Sequence, residues 1–131
     1  WAIHPRARKM LKEFGLWDEV IENPNMILVE PLGYHAMLRL NMGAKLFMTD
    51  SGGLQEECCV LGTPCLTMRW NTERPITLQK NGGASVLVGN DIMRIRAAFR
   101  ATLKAKRRPV RPEKWDGQTA ERIAEILVNQ K

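Results

Sequence analysis

The sequence predicts an α/β chain, a Rossmann-like parallel sheet with helices on both faces. Two observations predict it. Short apolar segments such as Ala44–Met48, Pro64–Met68 and Ser85–Val88 alternate with helical segments of roughly ten residues, the signature of a covered parallel sheet. The segments richest in chemistry (His4-Pro5-Arg6, Glu30 to Tyr34, Thr49 to Gly53, Arg69 to Arg74) each lie just after a strand segment. In open sheets of this class ligands bind outside the carboxyl ends of the strands.

Taken in order, Trp1–Ile3 reads as the end of a strand. Arg6–Phe14 reads as a helix, with Pro5 acceptable at its start and Gly15 as its stop. Met26–Val29 is a short strand bounded by Asn23-Pro24-Asn25 and Pro31. Tyr34–Met42 is a helix closed by Gly43, and Ala44–Met48 a strand. Gly53–Leu61 is a helix with Leu54, Cys58 and Leu61 at helical spacing, stopped by Gly62. Pro64–Met68 is the next strand. Glu73–Lys80 is expected as a short helix closed by Asn81-Gly82-Gly83, and Ser85–Val88 as a strand. Ile92–Ala105 carries Ile92, Ile95, Phe99 and Leu103 on a helical stripe. Thr119–Asn129 does the same with Ile123, Ile126 and Leu127. There is no internal repeat and no low-complexity stretch.

A length of 131 residues bounds the chain to about one domain. A chain of this size buries roughly two-thirds of its unfolded surface. No apolar run approaches the roughly 18 residues of a membrane span. The sequence starts at Trp1, without methionine and inside an apparent strand, so a piece of a longer protein is expected. The odd set Cys58, Cys59 and Cys65 argues for free thiols and a reducing, cytoplasmic setting rather than a disulfide framework. The two histidines, His4 and His35, lie far in sequence from these cysteines, so no metal site is expected. The net charge of +6 is concentrated in Lys104, Lys106, Arg107, Arg108 and Arg111. Pro109 and Pro112 interrupt that run and no aromatic interleaves it, so it reads as a solvated linker rather than a nucleic-acid surface.

The stretch Thr49-Asp50-Ser51-Gly52-Gly53 carries the most chemistry. It joins a strand to a helix whose first N–H groups are unpaired and lie at the positive end of the dipole. Glycines let an anion approach that backbone, and Ser51 adds a hydroxyl donor. Glu57, six residues beyond Ser51 and roughly 9 Å along a helix, could accept the hydroxyls of a ribose while the turn holds phosphates. Two plainer readings stand beside this. Ser51 could simply cap the helix, and the glycines could simply allow close packing. Arg69 and Arg74, after the next strand, supply bidentate partners for phosphate, or else pair on the surface with Glu73. Two such segments on adjacent strands favour an anionic ligand. Asp50 is expected to brace the turn through backbone hydrogen bonds.

TDSGGLQEE, LGTPCLTMR, NTERP and LVGND, in this order and spacing, resemble the non-hydrolysing UDP-N-acetylglucosamine 2-epimerase family. His4-Pro5-Arg6, Glu30-Pro31-Leu32-Gly33-Tyr34 and Trp115-Asp116-Gly117 fit as well, so the resemblance runs over essentially the whole chain. It implies the C-terminal, UDP-binding domain of a glycosyltransferase-B-like two-domain enzyme. The N-terminal domain and the first strand and helix of this domain would lie outside the chain. Residues 117–131 would form a terminal helix that packs on that missing domain. The resemblance implies Ser51, Gly52, Gly53 and Arg74 as diphosphate ligands and Glu57 as the ribose carboxylate. Leu32 to Met37 would frame the uracil, and His4 would lie near the site of an activating second UDP-sugar.

The reaction so implied interconverts UDP-GlcNAc and UDP-ManNAc by eliminating and returning UDP, in cell-envelope polysaccharide synthesis. Its acids and bases would lie upstream, including a histidine in a His-Arg-Arg-Glu motif. No catalytic residue is therefore assigned here, and the chain alone is expected to be inactive. A UDP-sugar and a homodimer partner are expected; a cofactor, nucleic acid and membrane are not. Ile76 and the Cys58-Cys59 pair depart from the family pattern and leave the N-acetylated sugar open. Two alternatives remain. One is the nucleotide-sugar domain of a glycosyltransferase with the same fold, and the other is a non-enzymatic nucleotide-binding module.

Overall fold

The computed structural model describes residues 1–129; Gln130 and Lys131, the end of the expected terminal segment, lie outside the described residues. The chain forms two compact units, residues 1–39 and a second from Leu40 onward.

In the first unit, α1 (Pro5–Glu13) begins with Pro5 at a position whose N–H needs no helical partner. Gly15 follows it in the left-handed region, at φ +67°. A short helix the sequence reading did not anticipate, α2 (Trp17–Ile21), comes next. Asp18 and Glu19 suit the positive end of its dipole, and Lys12 Nζ lies 5.2 Å from the centroid of the Trp17 ring. Five residues are too few to show helical periodicity, which is why the pattern missed it. The expected strand Met26–Val29 is reduced to one parallel bridge between Val29 and Ala2. The Met26 N–H is already spent on Asn23 O at 3.0 Å, and Pro31 has no N–H with which to prolong the ladder. The chain enters the second unit through α3 (Tyr34–Gly43).

The second unit is built on β1 (Phe47–Thr49), β2 (Cys65–Thr67) and β3 (Ser85–Leu87), all parallel and in the order β1-β2-β3. Met48, Leu66 and Val86 stand in register. Helix α4 (Gly52–Leu61) packs along all three strands and α5 (Ile92–Thr102) against β2. Cys58 and Cys59 of α4 and Cys65 and Leu66 of β2 are fully buried, and all three thiols are free. The neighbouring Cys65 sulfur and then burial push the Cys58 thiol above its ordinary range. The expected α/β class with a parallel sheet and helices around it is what forms. Helix α6 (Thr119–Asn129) follows, and no helix among the described residues is long and apolar enough to cross a membrane.

Two expectations are corrected in this unit. Glu73–Lys80 is not a helix but two 3-10 turns, Pro75–Thr77 and Gln79–Asn81. Here side chains take the carbonyls that a helix would use. Thr77 Oγ1 donates to Arg74 O at 2.8 Å and Asn81 Nδ2 to Pro75 O at 2.6 Å. The basic segment after α5 is not wholly a solvated linker either. The guanidinium of Arg107 donates to Asn41 O at 2.8 Å, Ala44 O at 2.7 Å, Thr63 Oγ1 at 2.8 Å and Leu61 O at 3.4 Å. It thereby closes the negative C-terminal ends of α3 and α4 together. Arg107→Ala is expected to cost about 1–3 kcal/mol, the penalty for orphaned acceptors, as measured by chemical denaturation. Arg107→Lys should recover only part, because one ammonium cannot span the same fork.

Candidate functional site

The site begins where β1 ends. Ser51 takes an extended conformation at φ −77°, ψ 130° as the N-cap of α4, yet its hydroxyl makes no capping bond. The turn is braced by Thr49, whose Oγ1 accepts from the Ser51 N–H at 3.1 Å, and not by Asp50 as expected from the sequence. Helical bonding starts only at Gln55 N–H, which donates to Ser51 O at 3.2 Å. The N–H groups of Gly52, Gly53 and Leu54 therefore have no helical acceptor. A Cβ on Gly53 would meet nothing within 4 Å, so the backbone is open to an approaching group there.

A second segment closes on this turn. A Cβ on Gly52 would lie 3.1 Å from Glu73 Oε1 and 3.9 Å from Arg74 Cγ and Nε. The loop after β2 therefore sits against the start of α4, and a buried polar chain fixes it there. Gln55, fully buried, donates Nε2 to Ser51 O at 3.2 Å, while its Oε1 accepts from Thr72 Oγ1 at 2.8 Å. Thr72 Oγ1 in turn accepts from Arg74 N–H at 3.0 Å. Sequence reasoning missed Gln55 and Thr72. The available signal was a glutamine inside an apolar helix, where only a satisfied side chain is tolerated.

The cations of the site already have partners. Arg69 Nη1 contacts both Glu73 oxygens, at 3.2 and 2.9 Å. Arg74 Nε lies 2.7 Å from Glu56 Oε1, but its N–H is not aligned for a hydrogen bond, so this is a charge contact. Its own backbone N–H and then the two arginines hold the Glu73 carboxyl below the usual range. At the far side of the loop, Trp70 Nε1 donates to Asn90 Oδ1 at 3.1 Å and Arg94 stacks over its ring at 5.2 Å. These contacts tie the segments after β2 and β3 to each other.

Glu57 lies one turn further along α4. Burial raises its pKa, an effect the amide of Asn41 partly offsets, and its Oε2 is buried without a hydrogen-bond partner among the described residues. Asn41 is itself fully buried, with Nδ2 3.5 Å from Cys58 Sγ. Because folding raises this carboxyl's pKa, ionised Glu57 works against the fold, increasingly as pH climbs through its unfolded-state value. Glu57→Gln is therefore expected to raise the melting temperature near neutral pH. The gain should vanish in acid, where Glu57 is protonated both folded and unfolded.

Ser51, Gly52, Gly53, Glu57 and Arg74 thus all lie in the second unit, four of them on α4 and its cap. His4 lies in the first unit, exposed at the start of α1, where its Nδ1 accepts from Arg6 N–H at 3.2 Å. In the neutral ring that leaves Nε2–H as the outward donor. Among the described residues no group of three His, Cys, Asp or Glu side chains is placed to hold a metal ion.

A family model described as UDP-N-acetylglucosamine 2-epimerase matches residues 1–128. The UDP-N-acetylglucosamine 2-epimerase of Methanocaldococcus jannaschii is 44% identical over 127 residues, which is 97% of this chain and 34% of that protein. The enzyme of the same name from Methanococcus maripaludis is 43% identical over 98% of the chain and 34% of its own length. This chain belongs to the UDP-N-acetylglucosamine 2-epimerase family. The crystal structure of the Methanocaldococcus jannaschii enzyme in complex with UDP-GlcNAc and UDP superposes with a TM-score of 0.86 over 97% of this chain and 34% of that one. The chain thus spans about a third of the length of the family members it matches.

Proposed function

We propose that this chain is the UDP-binding part of a UDP-N-acetylglucosamine 2-epimerase, the C-terminal domain of a glycosyltransferase-B-like enzyme. The observation that carries this reading is the convergence of two segments on the start of α4. Unpaired N–H groups, the free Ser51 hydroxyl and Arg74 all lie around the start of α4, where the backbone is open at Gly53 and Glu73 and Arg74 flank Gly52. Such an array suits a diphosphate: partial positive charge from the helix end, donors without internal acceptors, and a guanidinium within reach. Glu57, whose Oε2 finds no donor among the described residues, is the carboxylate proposed to take a ribose hydroxyl. The reported UDP complex of a 44% identical protein supports the same ligand.

In the complete protein the reaction would interconvert UDP-GlcNAc and UDP-ManNAc by eliminating and re-adding UDP. Ser51, Gly52, Gly53 and Arg74 would stabilise the charge that gathers on the departing diphosphate. Proton transfer at C2 would fall to residues of an N-terminal domain outside this chain, so the chain alone would bind without turning over. Leu32 to Met37 would frame the uracil. His4, through its outward Nε2–H, would meet an activating second nucleotide sugar. The complete enzyme would be a cytoplasmic homodimer.

Glu57→Ala is expected to weaken UDP binding by about 1–3 kcal/mol, the loss of charged hydrogen bonds. The control is the corresponding 2′,3′-dideoxynucleotide, whose affinity should not change. Equal losses for both ligands would remove the ribose from Glu57. An unchanged affinity for UDP would remove Glu57 from the site.

A further inference from the structure

Glu73 plays no part in the proposed binding array, yet its position bears directly on it. Its Oε1 lies 3.1 Å from the point a Gly52 side chain would occupy, against the backbone proposed to cradle the diphosphate. Its two oxygens engage Arg69, a cation that follows β2 as Arg74 does. The opening of α4 thus already carries an anion, supplied by the protein itself. A carboxylate and a phosphate oxygen compete for the same partners, namely helix-end N–H groups and guanidinium forks.

We infer that Glu73 is an internal stand-in for phosphate, seated over Gly52 in the unliganded chain and displaced when a nucleoside diphosphate binds. This inference rests on the UDP-binding reading above. On displacement, Arg69 exchanges the Glu73 carboxylate for a phosphate oxygen, and Arg74 does the same with Glu56. No bond is made or broken; ion pairs within the protein are traded for ion pairs with the ligand. The arrangement spares two arginines and a helix end from standing without counter-charge between ligands. It costs affinity, since the ligand must outcompete a tethered carboxylate of high effective concentration. The Glu73 side chain is about half exposed (53%) and its pair with Arg69 lies near the surface, so it can swing out without disturbing the core.

The test is Glu73→Gln in the full natural polypeptide that contains this chain, titrated with UDP, inorganic pyrophosphate and uridine. The variant should bind UDP and pyrophosphate roughly two- to fivefold more tightly, the scale of one exposed ion pair released. Uridine, which has no phosphates, should bind as it does to the parent. Equal or weaker binding of UDP and pyrophosphate by the variant would overturn the stand-in role while leaving the UDP site intact. Equal tightening toward uridine would also overturn it, by showing a general loosening rather than anion competition. Failure of both proteins to bind UDP would overturn the UDP-binding reading and this inference together. Arg69→Ala adds a second measurement. It should weaken pyrophosphate binding, whereas a purely structural Arg69–Glu73 pair predicts no change.

Discussion

Arg74→Ala is expected to weaken UDP binding by about 2–3 kcal/mol, roughly 30- to 150-fold. The magnitude follows from what Arg74 faces. Its side chain lies within 3.9 Å of the Gly52 position, and its main chain is fixed by the Thr72–Gln55 relay to the turn that carries Ser51. A guanidinium so placed would make charge-assisted bonds to a diphosphate in a site partly shielded by its own loop. Folding stability should hardly move. Arg74 and its partner Glu56 are 40% and 37% exposed, and exposed pairs contribute between nothing and about 1 kcal/mol. Arg74→Lys should recover some affinity but not all, because an ammonium cannot grip two oxygens in one plane. A variant that binds UDP within twofold of the parent would remove Arg74 from the diphosphate. The readout is calorimetric titration, with thermal melting to confirm that the fold is unchanged.

Gly62→Ala is expected to cost about 2–4 kcal/mol of folding stability, more than most single substitutions. Two independent effects add. Gly62 caps α4 at φ +70°, where an L side chain is strained by about 1–2 kcal/mol. Its missing Cβ would also stand 2.2 Å from Pro109 N and 2.4 Å from Arg108 C, backbone that cannot step aside. The same crossing is stitched by Arg108 N–H to Gly62 O at 3.1 Å and Val110 N–H to Cys59 O at 3.0 Å, beside the Arg107 clamp. Denaturant unfolding would measure the loss, and a change below about 0.5 kcal/mol would contradict the close crossing.

These two residues show what the sequence could and could not disclose. Gly62 was legible as a helix stop, because glycine after an apolar helical stripe is the local signature of a left-handed cap. That the segment 107–110 lies across it was not legible, because nothing local links residues about 45 apart. The basic run accordingly looked like a linker, whereas Arg107 bonds to four acceptors on distant turns. The alternation of strands and helices was readable from short apolar runs between breakers, and it placed β2, β3 and α4 within a residue, while β1 begins three residues later than the apolar run suggested. It failed where side chains override the backbone pattern. Thr77 and Asn81 turn Glu73–Lys80 into 3-10 turns, and Pro31 cuts Met26–Val29 to a single bridge.

The candidate site divides in the same way. Ser51, Gly52, Gly53, Glu57 and Arg74 could be named as candidates, since each residue type carries its own chemistry and TDSGG and TERP carry the family resemblance; whether they bind the nucleotide is what the variants above test. Gln55 and Thr72, which hold the two segments together, have no signature outside the fold. Nor could the sequence say which carboxylate sits where. Glu56 turns to Arg74, Glu57 turns toward the Asn41 amide, and Glu73 reaches back over Gly52.

On the proposed function, the start of α4 and the loop after β2 form a uridine-diphosphate site. Calorimetric titration of the full natural polypeptide with UDP, with GDP as the control, tests it most directly. Saturable, one-to-one binding of UDP is expected, abolished or strongly weakened by Arg74→Ala, with GDP binding much more weakly. Equal affinity for UDP and GDP would contradict the assignment of the nucleoside, and no binding of either would contradict the site itself.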